Sequence, residues 1–345
     1  MTIKMTKPNY IMNISLSTLL LFLTGNGLAM SKTKFEWDAT ESAPKHYPMK
    51  IIDGTFIYHG ETHAGLYIPS GGTLKAGWGD AISSHVTGAQ YKPLPDRLKI
   101  RFFSYTEKQF YKGEFALPYE DILALFRDGV ANPQVFPSGE ESPIYSRIMA
   151  GVAPGGAVAV WITGYKTTEV FFGQAEKIEL SPSAAFALPF DNKQESDAYI
   201  AKQLVNVLTP EELESLKKDG VPFGLWSRYR NRYDWKPTFT LGQPESVNTI
   251  FVNGENDRKW YLTGKKEQSH PRTVPLQMSF HSSLDGTLYT VTFDEFETMA
   301  AFEKLGANGK KIFLEFEPRL PRENLKARLY NDKESIELKK FVSKP

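Results

Sequence analysis

Two histidines and one glutamate stand within five residues of each other, as His59, Glu61 and His63. Alternate residues of a β-strand project to the same face, so these three side chains could bind a metal ion together. The Gly-Glu pair at residues 60–61 recurs at residues 254–255, however, where no histidine accompanies it. This recurrence favours a turn over a metal site, and we assign neither a metal nor a cofactor to the chain.

Motifs of the common catalytic classes are missing from the sequence. It contains no G-x-S-x-G, no phosphate-binding G-x-x-x-x-G-K-[ST] and no H-E-x-x-H, and without cysteine it has no thiol nucleophile. We therefore expect a binding protein and not an enzyme. The alternative is an envelope hydrolase acting on glycan or lipid, because glycosidase carboxylates have no local motif. Its site would lie in a cleft between domains, formed by carboxylates or by His59 and His63.

A glycine-rich stretch over residues 68–90 is the candidate contact surface for a protein partner. Trp78 stands there between Gly77 and Gly79, and His85 follows in the same stretch. A tryptophan in a glycine-rich loop can anchor a partner. The alternative is that Trp78 fills the core beneath its own loop.

Residues 1–29 have the layout of a secretory leader. A basic start precedes an apolar run over residues 14–23, and small residues lead to Ala29, near which cleavage is expected. The apolar run is about ten residues long, whereas a helix that crosses a bilayer needs about 20. The alternative is an uncleaved anchor. Since the chain has no cysteine to carry a lipid, we expect a periplasmic protein without stable membrane insertion.

The charges of the chain nearly balance, with 41 basic and 40 acidic residues. A nucleic-acid-binding protein needs a basic surplus, so this class is excluded. Arg228, Arg230 and Arg232 alternate with other residues, including Tyr229. This spacing favours the polar face of a strand over an anion site.

Short blocks of sequence recur in the same order along the chain. The recurring blocks are 35–37 with 233–235, 56–61 with 251–255, 98–104 with 276–282, and 110–111 with 288–289. A repeat of this kind predicts a tandem duplication. We expect an α+β protein with two related β-rich domains, residues 30–190 and 223–345. Each would be an antiparallel sheet with a short helix, and a helical connector, residues 191–222, would join them.

Helix signals support this layout. Residues 118–129 and 294–306 each predict one short helix, which Gly129 ends in the first domain. In the second domain Asp294 and Glu297 form a candidate capping pair, and Gly306 ends the helix. Four apolar residues are expected to face inward, namely Phe296, Met299, Ala300 and Phe302. The connector predicts two helices. The first covers residues 195–208, and the second opens with a capping box, in which Thr209 is the cap and Glu212 completes the pair.

Several motifs together resemble those of a known family. They are Trp37, Gly77-Trp78-Gly79, Phe110-Tyr111-Lys112-Gly113, Gly151 to Gly156 with Trp161, Arg228 to Trp235, and Asn253-Gly254-Glu255. The chain resembles, over nearly all of its mature length, an uncharacterised family of bacterial envelope lipoproteins known only as a domain of unknown function. Members usually have a lipidated cysteine where this chain has Asn26.

The family is similar in its setting to the immunity proteins that accompany type VI secretion effectors, lipases in particular. This resemblance implies no catalytic residues. It implies a periplasmic inhibitor that neutralises a secreted toxic effector by direct complex formation.

Overall fold

The structure, a computed structural model, describes residues 32–83, 86–136, 138–260, 269–283, 285–317 and 325–344. The predicted leader, residues 1–29, and His85 of the predicted contact surface lie outside the described residues. The described chain is rich in antiparallel β-sheet and contains a few helices. Strands β1 to β13 form its first half and strands β14 to β23 its second half.

The first half contains two main sheets. Its strands are β1 (Lys34–Glu36), β2 (Asp38–Ser42), β3 (Met49–Tyr58), β4 (Gly65–Tyr67), β5 (Tyr91–Pro93), β6 (Pro95–Ser104), β7 (Gln109–Ala116), β8 (Gln134–Val135), β9 (Glu141–Ser142), β10 (Tyr145–Ala153), β11 (Ala157–Gly164), β12 (Thr168–Gln174) and β13 (Glu176–Ile178). One sheet has the order β12-β11-β10-β2 and the other β13-β7-β6-β3-β4, while β1 pairs with β5 and β8 with β9.

The second half also contains two sheets. Its strands are β14 (Tyr233–Phe239), β15 (Ser246–Phe251), β16 (Asn256–Trp260), β17 (His270–Arg272), β18 (Pro275–His281), β19 (Leu288–Phe293), β20 (Ile312–Glu317), β21 (Lys326–Tyr330), β22 (Ser335–Glu337) and β23 (Phe341–Lys344). They are ordered β17-β14-β20-β21-β22 and β16-β15-β18-β19-β23. The strand order of the first half therefore occurs again.

The expectation of a single antiparallel sheet in each half was wrong. Each half has two sheets, and one pair of strands in each half is parallel: β2 with β10, and β14 with β20. The opening strand of each half joins the sheet of the closing strands, while the middle strands form the other sheet. Period-two alternation identifies a half-buried strand but carries no information about its pairing partner.

Helices occur at equivalent places in the two halves and between them. They are α1 (Tyr119–Ala131), α2 (Pro182–Phe186), α3 (Lys193–Val207), α4 (Pro210–Asp219), α5 (Leu225–Arg228) and α6 (Glu295–Leu305), with short 3-10 turns at Pro154–Gly156 and Ala307–Gly309. Helices α1 and α6 follow the middle strands of their halves. Helices α2 to α5 lie in the chain between β13 and β14.

Helix α1 does not end at Gly129, as the sequence predicted, but continues to Ala131. Gly129 is buried, and a Cβ atom added to it would lie 3.0 Å from the ring of Tyr145. The glycine therefore permits close packing of α1 against β10. The first core lies between the two sheets, where Trp37, Phe56 and other rings are buried.

Helix α6 faces the core only partly as predicted. Its cap is confirmed, because the side chain of Asp294 accepts a hydrogen bond from the backbone N–H of Glu297 at 2.8 Å. Met299 and Phe302 are buried as predicted, whereas Phe296 and Ala300 are exposed. Thr298, Ala301 and Leu305 complete the buried stripe. The aromatic residue at position 296 therefore covers no part of the core, and an apolar residue type alone misled the prediction.

The predicted capping box of the connector is confirmed. The Thr209 hydroxyl accepts from the Glu212 N–H at 3.2 Å, and the Glu212 carboxylate accepts from the Thr209 N–H at 2.9 Å. Helix α3 packs on the first half, where Ile200 joins a small apolar cluster with Phe103 and Phe110. Helix α5 instead packs into the core of the second half through Trp226.

The three arginines 228, 230 and 232 do not lie on a strand, which corrects the prediction. Arg228 ends α5, and β14 begins only at Tyr233. Each guanidinium lies near a carboxylate of another element: Arg228 near Glu303, Arg230 near Glu169 and Arg232 near Glu255. Alternation over five residues is therefore not sufficient evidence for a strand when a turn can supply the same spacing.

Candidate binding groove

The two halves contact each other through the turn before β12 and the hairpin between β15 and β16. The indole N–H of Trp161 donates to the carbonyl of Asn253 at 2.9 Å. The N–H of Thr167 donates to the side chain of Asn256 at 3.0 Å. Both Trp161 and Asn253 are buried. These bonds fix the position of one half against the other.

A buried carboxyl group lies within this contact. Glu169 accepts a hydrogen bond from the Asn253 amide at 2.9 Å and lies 3.4 Å from the guanidinium of Arg230, which stacks on the ring of Phe172 at 3.3 Å. Burial raises the pKa of Glu169 to about 7, and the negative charge of Glu255 adds to this effect. Asn253 and Arg230 oppose the rise but do not cancel it.

Trp78, with its flanking glycines, lies at the same contact between the halves. Its ring is partly buried and meets the ring of Trp161 edge to face, with centroids 5.0 Å apart. A Cβ added to Gly79 would lie 2.3 Å from the Cα of Gly254, so two backbones touch there. The carbonyl of Gly77 accepts a hydrogen bond from Ser42 at 2.7 Å. The loop is thus held between the two halves. Trp78 is neither a freely exposed side chain nor one that fills only the core beneath its own loop.

A groove runs beside this contact, and we call it the central groove. Its first part has a volume of about 540 Å³ and is lined by both halves, including Tyr47, Trp78, Trp226, Ile250 and Leu276. Its second part, which we call the connector end, has a volume of about 600 Å³ and includes α4. The two parts share four lining residues, which are His46, Tyr47, Glu295 and Phe296.

Glu295 and Tyr229 form a hydrogen-bonded pair in the wall of the groove. The Tyr229 hydroxyl donates to the Glu295 carboxylate at 2.7 Å. Burial raises the pKa of Glu295, although the Tyr229 hydrogen bond and His46 partly offset this. Burial also raises the pKa of Tyr229 well above its ordinary value, and the negative charge of Glu295 adds to the rise. The wall therefore holds a carboxyl group that is stabilised in its protonated form relative to a carboxyl in water.

At the rim of the groove the first half contacts the connector and helix α5. Nδ1 of His46 lies 2.8 Å from Oε1 of Glu212, and the ring of Tyr47 meets that of Trp226 edge to face at 5.6 Å. Two apolar lining residues remain open to solvent, Phe296 at 52% exposure and Ile250 at 38%. The groove thus combines fixed walls with accessible apolar side chains.

The residues 59–63 occupy a turn between β3 and β4, as the recurrence of Gly-Glu indicated. Gly60 has a φ of 78° and Gly254 a φ of 83°, so both glycines adopt the left-handed conformation of tight turns. His59 lies 3.0 Å from Asp96 and stacks on Tyr119, outside the groove linings. Over the described ranges, no three His, Cys, Asp or Glu side chains are grouped so as to hold a metal ion.

Sequence reasoning missed the residues of the groove wall. Tyr229 was placed on a predicted strand, and Glu295 was not singled out. The signal available in the sequence was the cap at Asp294, which locates the start of α6. No spacing rule links that start to Tyr47 or Tyr229, because the three segments are far apart in the chain.

Residues 24–224 match the sequence model of a family described as "Protein of unknown function (DUF2931)". The match covers more than half of the chain, which therefore belongs to this family. It includes the first half and the helices α2 to α4, and it ends before β14. No curated protein and no solved structure matches the chain. Within the described residues, no helix has the length and apolar character needed to cross a membrane.

Proposed function

We propose that the protein is a periplasmic inhibitor of the immunity type, exported by a leader over residues 1–29. It neutralises a secreted toxic effector, a lipase-like toxin of a type VI secretion system, by forming a direct complex. The observation that carries this proposal is the central groove, which is built from both halves and the connector. The proposed partner is a protein, and the proposed inhibitor performs no chemistry on it.

The groove has the properties of a protein-binding surface. Solvent-exposed apolar side chains that cluster on a folded protein commonly mark an interaction site. Phe296 and Ile250 supply such side chains, and Trp78, which contacts Trp161, lines the same groove. A surface whose walls are already fixed loses little conformational entropy when it binds, which favours tight complexes.

We also propose that the two halves arose by tandem duplication, as domains 30–190 and 223–345 joined by residues 191–222. The repeated strand order supports this. So do two equivalent indole hydrogen bonds, from Trp37 to the carbonyl of Pro93 at 3.2 Å and from Trp235 to that of Thr273 at 3.0 Å. Each segment expressed alone should give the far-UV and near-UV signals of a folded β-protein. A segment that remains unfolded would contradict its proposed boundary.

A capture experiment tests the inhibitor proposal. The full chain, expressed with its own leader, is recovered from the periplasm and mixed with the effector encoded beside its gene. We expect a stoichiometric complex that survives high salt. Ile250→Asp should weaken capture at least tenfold, since it places a charge in an apolar contact worth about 1.4 kcal/mol or more.

The matched control is Leu288→Asp, because Leu288 is an exposed apolar residue of the second half outside the groove linings. This variant should capture the effector as the unchanged chain does. Absence of any complex with the effector would refute the inhibitor proposal. Equal losses in the two variants would show that binding occurs away from the groove.

One observation favours the rival function, an envelope hydrolase acting on glycan or lipid. A carboxyl group with a raised pKa facing a groove has the property needed in a general acid. Glu295 meets this description, whereas His59 and His63 lie elsewhere. If the rival is correct, Glu295→Gln abolishes hydrolysis of a glycan or lipid ester by the folded protein. Hydrolysis that is absent from the unchanged chain, or unaffected by this substitution, would exclude this site.

A further inference from the structure

The charge of the central groove differs from that of the whole chain. The chain has 41 basic and 40 acidic residues. The described lining of the groove instead has six carboxylates, one lysine and one histidine, namely Asp80, Glu211, Glu212, Asp219, Asp294, Glu295, Lys45 and His46. The groove therefore presents a negative surface on a nearly neutral protein, and such a surface favours a cationic partner group.

The negative charge is concentrated at the connector end. Four carboxylates line this part, and neither lysine nor arginine is among its described lining residues. The ammonium group of Lys75 donates to the carbonyl of Val207 and acts on Glu212 from outside the lining. His46 is paired with the same glutamate. Glu212 is thus satisfied within the protein, while other carboxylates are available to a ligand.

Asp219 and Glu295 are these available groups. Across the described ranges no lysine or arginine forms an ion pair with either of them, and the hydrogen-bond donor to Glu295 is the neutral Tyr229 hydroxyl. Their negative charges act on Tyr47, which lines the same pocket. Burial is the largest cause of the raised pKa of Tyr47, and the charges of Glu295 and Asp219 raise it further. A cation placed near Tyr47 would be attracted by these two carboxylates and would offset their negative charge.

The walls of the connector end suit a long side chain. Leu216 and Pro222 provide an apolar side, and the rings of Tyr47 and Phe296 provide aromatic faces. Methylene groups of an arginine pack on apolar walls, and its planar guanidinium stacks on aromatic rings while donating to carboxylates. A metal ion fits less well, because no three acidic or histidine side chains of the described chain converge.

We propose that the connector end of the central groove is an anchor pocket for one arginine side chain of the protein partner. The inference rests on the proposed function as a protein-binding inhibitor and adds the chemistry by which the partner is recognised. The guanidinium lies between Asp219 and Glu295, and Phe296 covers it from the solvent side. Among the partner's residues, replacement of this arginine should then reduce the affinity of the complex most.

Two small probes test the pocket without the partner. N-acetyl-arginine amide and N-acetyl-citrulline amide have nearly the same shape, but only the first is charged. Binding to the full chain, expressed with its own leader, is followed by NMR chemical-shift changes of tryptophan indole N–H groups at low salt. We expect the arginine probe to bind at least tenfold more tightly than the citrulline probe, and added salt to reduce that difference.

Asp219→Asn and Glu295→Gln should each weaken binding of the arginine probe several-fold and leave the citrulline probe unaffected. The control is Glu214→Gln, on the same helix α4 but with a side chain 73% exposed and outside the lining. It should bind the arginine probe as the unchanged chain does. Because Asp219 ends an exposed helix, its variant keeps the test valid if Glu295→Gln fails to fold.

The outcomes separate this inference from the proposed function. Equal binding of the two probes, or equal effects of the Glu214 and Asp219 variants, overturns the arginine pocket. Capture of the effector by the same protein would then still support the inhibitor proposal, through other groove contacts. Failure of effector capture together with selective arginine binding would instead overturn the inhibitor proposal and leave a pocket for another arginine-bearing protein.

Discussion

The carboxyl group of Glu169 makes the stability of the protein depend on pH in a defined direction. Its side chain is only 7% exposed between the halves, and its hydrogen bond from Asn253 would be kept by a glutamine. Glu169→Gln is therefore a nearly isosteric change that removes the titration. The comparison of the two proteins isolates the contribution of one carboxyl group to the free energy of unfolding.

The magnitude follows from the pKa. Glu169 has a pKa of about 7 in the folded protein, against an ordinary value of 4.5. Between these values the folded state holds a proton that the unfolded state has released, so the group stabilises the fold. This stabilisation, roughly 3 kcal/mol, is fully present below pH 4.5 and is lost as the pH rises through 7.

Urea unfolding followed by tryptophan fluorescence, between about pH 5 and pH 8, provides the measurement. We expect the unfolding free energy of the wild-type protein to fall relative to that of Glu169→Gln by roughly 3 kcal/mol across this range. The control is Glu114→Gln, a half-exposed surface carboxylate, which should stay within about 1 kcal/mol of the wild type.

Two results would refute the reasoning. A constant difference between the wild type and Glu169→Gln would mean that the carboxyl does not titrate in this range. A difference that grows in favour of the wild type with rising pH would mean that the pairing with Arg230 outweighs burial. The 3.4 Å separation of these two groups argues against the second result.

Three further substitutions probe the contacts that hold the groove in place. Gly79→Ala should destabilise the fold by about 2 kcal/mol more than Gly71→Ala, because both glycines have positive φ but only Gly79 touches another backbone; equal thermal unfolding shifts would contradict this. Thr209→Ala should cost about 1 kcal/mol in urea unfolding through loss of the capping box, and Thr209→Ser should restore most of it. No recovery by serine would point to the lost methyl group instead. Trp161→Phe should cost about 1–3 kcal/mol by leaving the buried carbonyl of Asn253 without its donor; a calorimetric trace unchanged from wild type would show that water replaces the indole.

Local features of the fold could be predicted from the sequence because local chemistry determines them. The alternation in 98–104 and 276–282 gave two of the central strands, and the cap residues Thr209 and Asp294 gave helix starts. Errors arose where tertiary packing decides. Gly129 lies inside a helix, where its missing side chain lets β10 approach closely. The local sequence pattern does not show that a strand from elsewhere in the chain packs there.

The site was harder to predict than the fold. Trp78 was correctly singled out as a residue needing an explanation, but its neighbour Trp161 comes from a distant strand. The groove wall joins Tyr47 from the first half, Tyr229 from the end of α5, and Glu295 from the start of α6. Their chemistry exists only after the halves pack together, so no motif within one segment could reveal it.

The parallel strand pairs also govern when the chain can fold. Asp38 of β2 pairs with Arg147 of β10, and Trp235 of β14 pairs with Ile312 of β20. The opening strand of each half therefore cannot pair until a strand much later in the chain has been synthesised. Contacts between residues so distant in sequence form slowly, and the half-made chain keeps its apolar strands exposed meanwhile. For a protein proposed to cross a membrane before folding, this delay is an advantage. The topology that buries Trp37 and Trp235 would therefore suit the proposed export, which requires an unfolded chain.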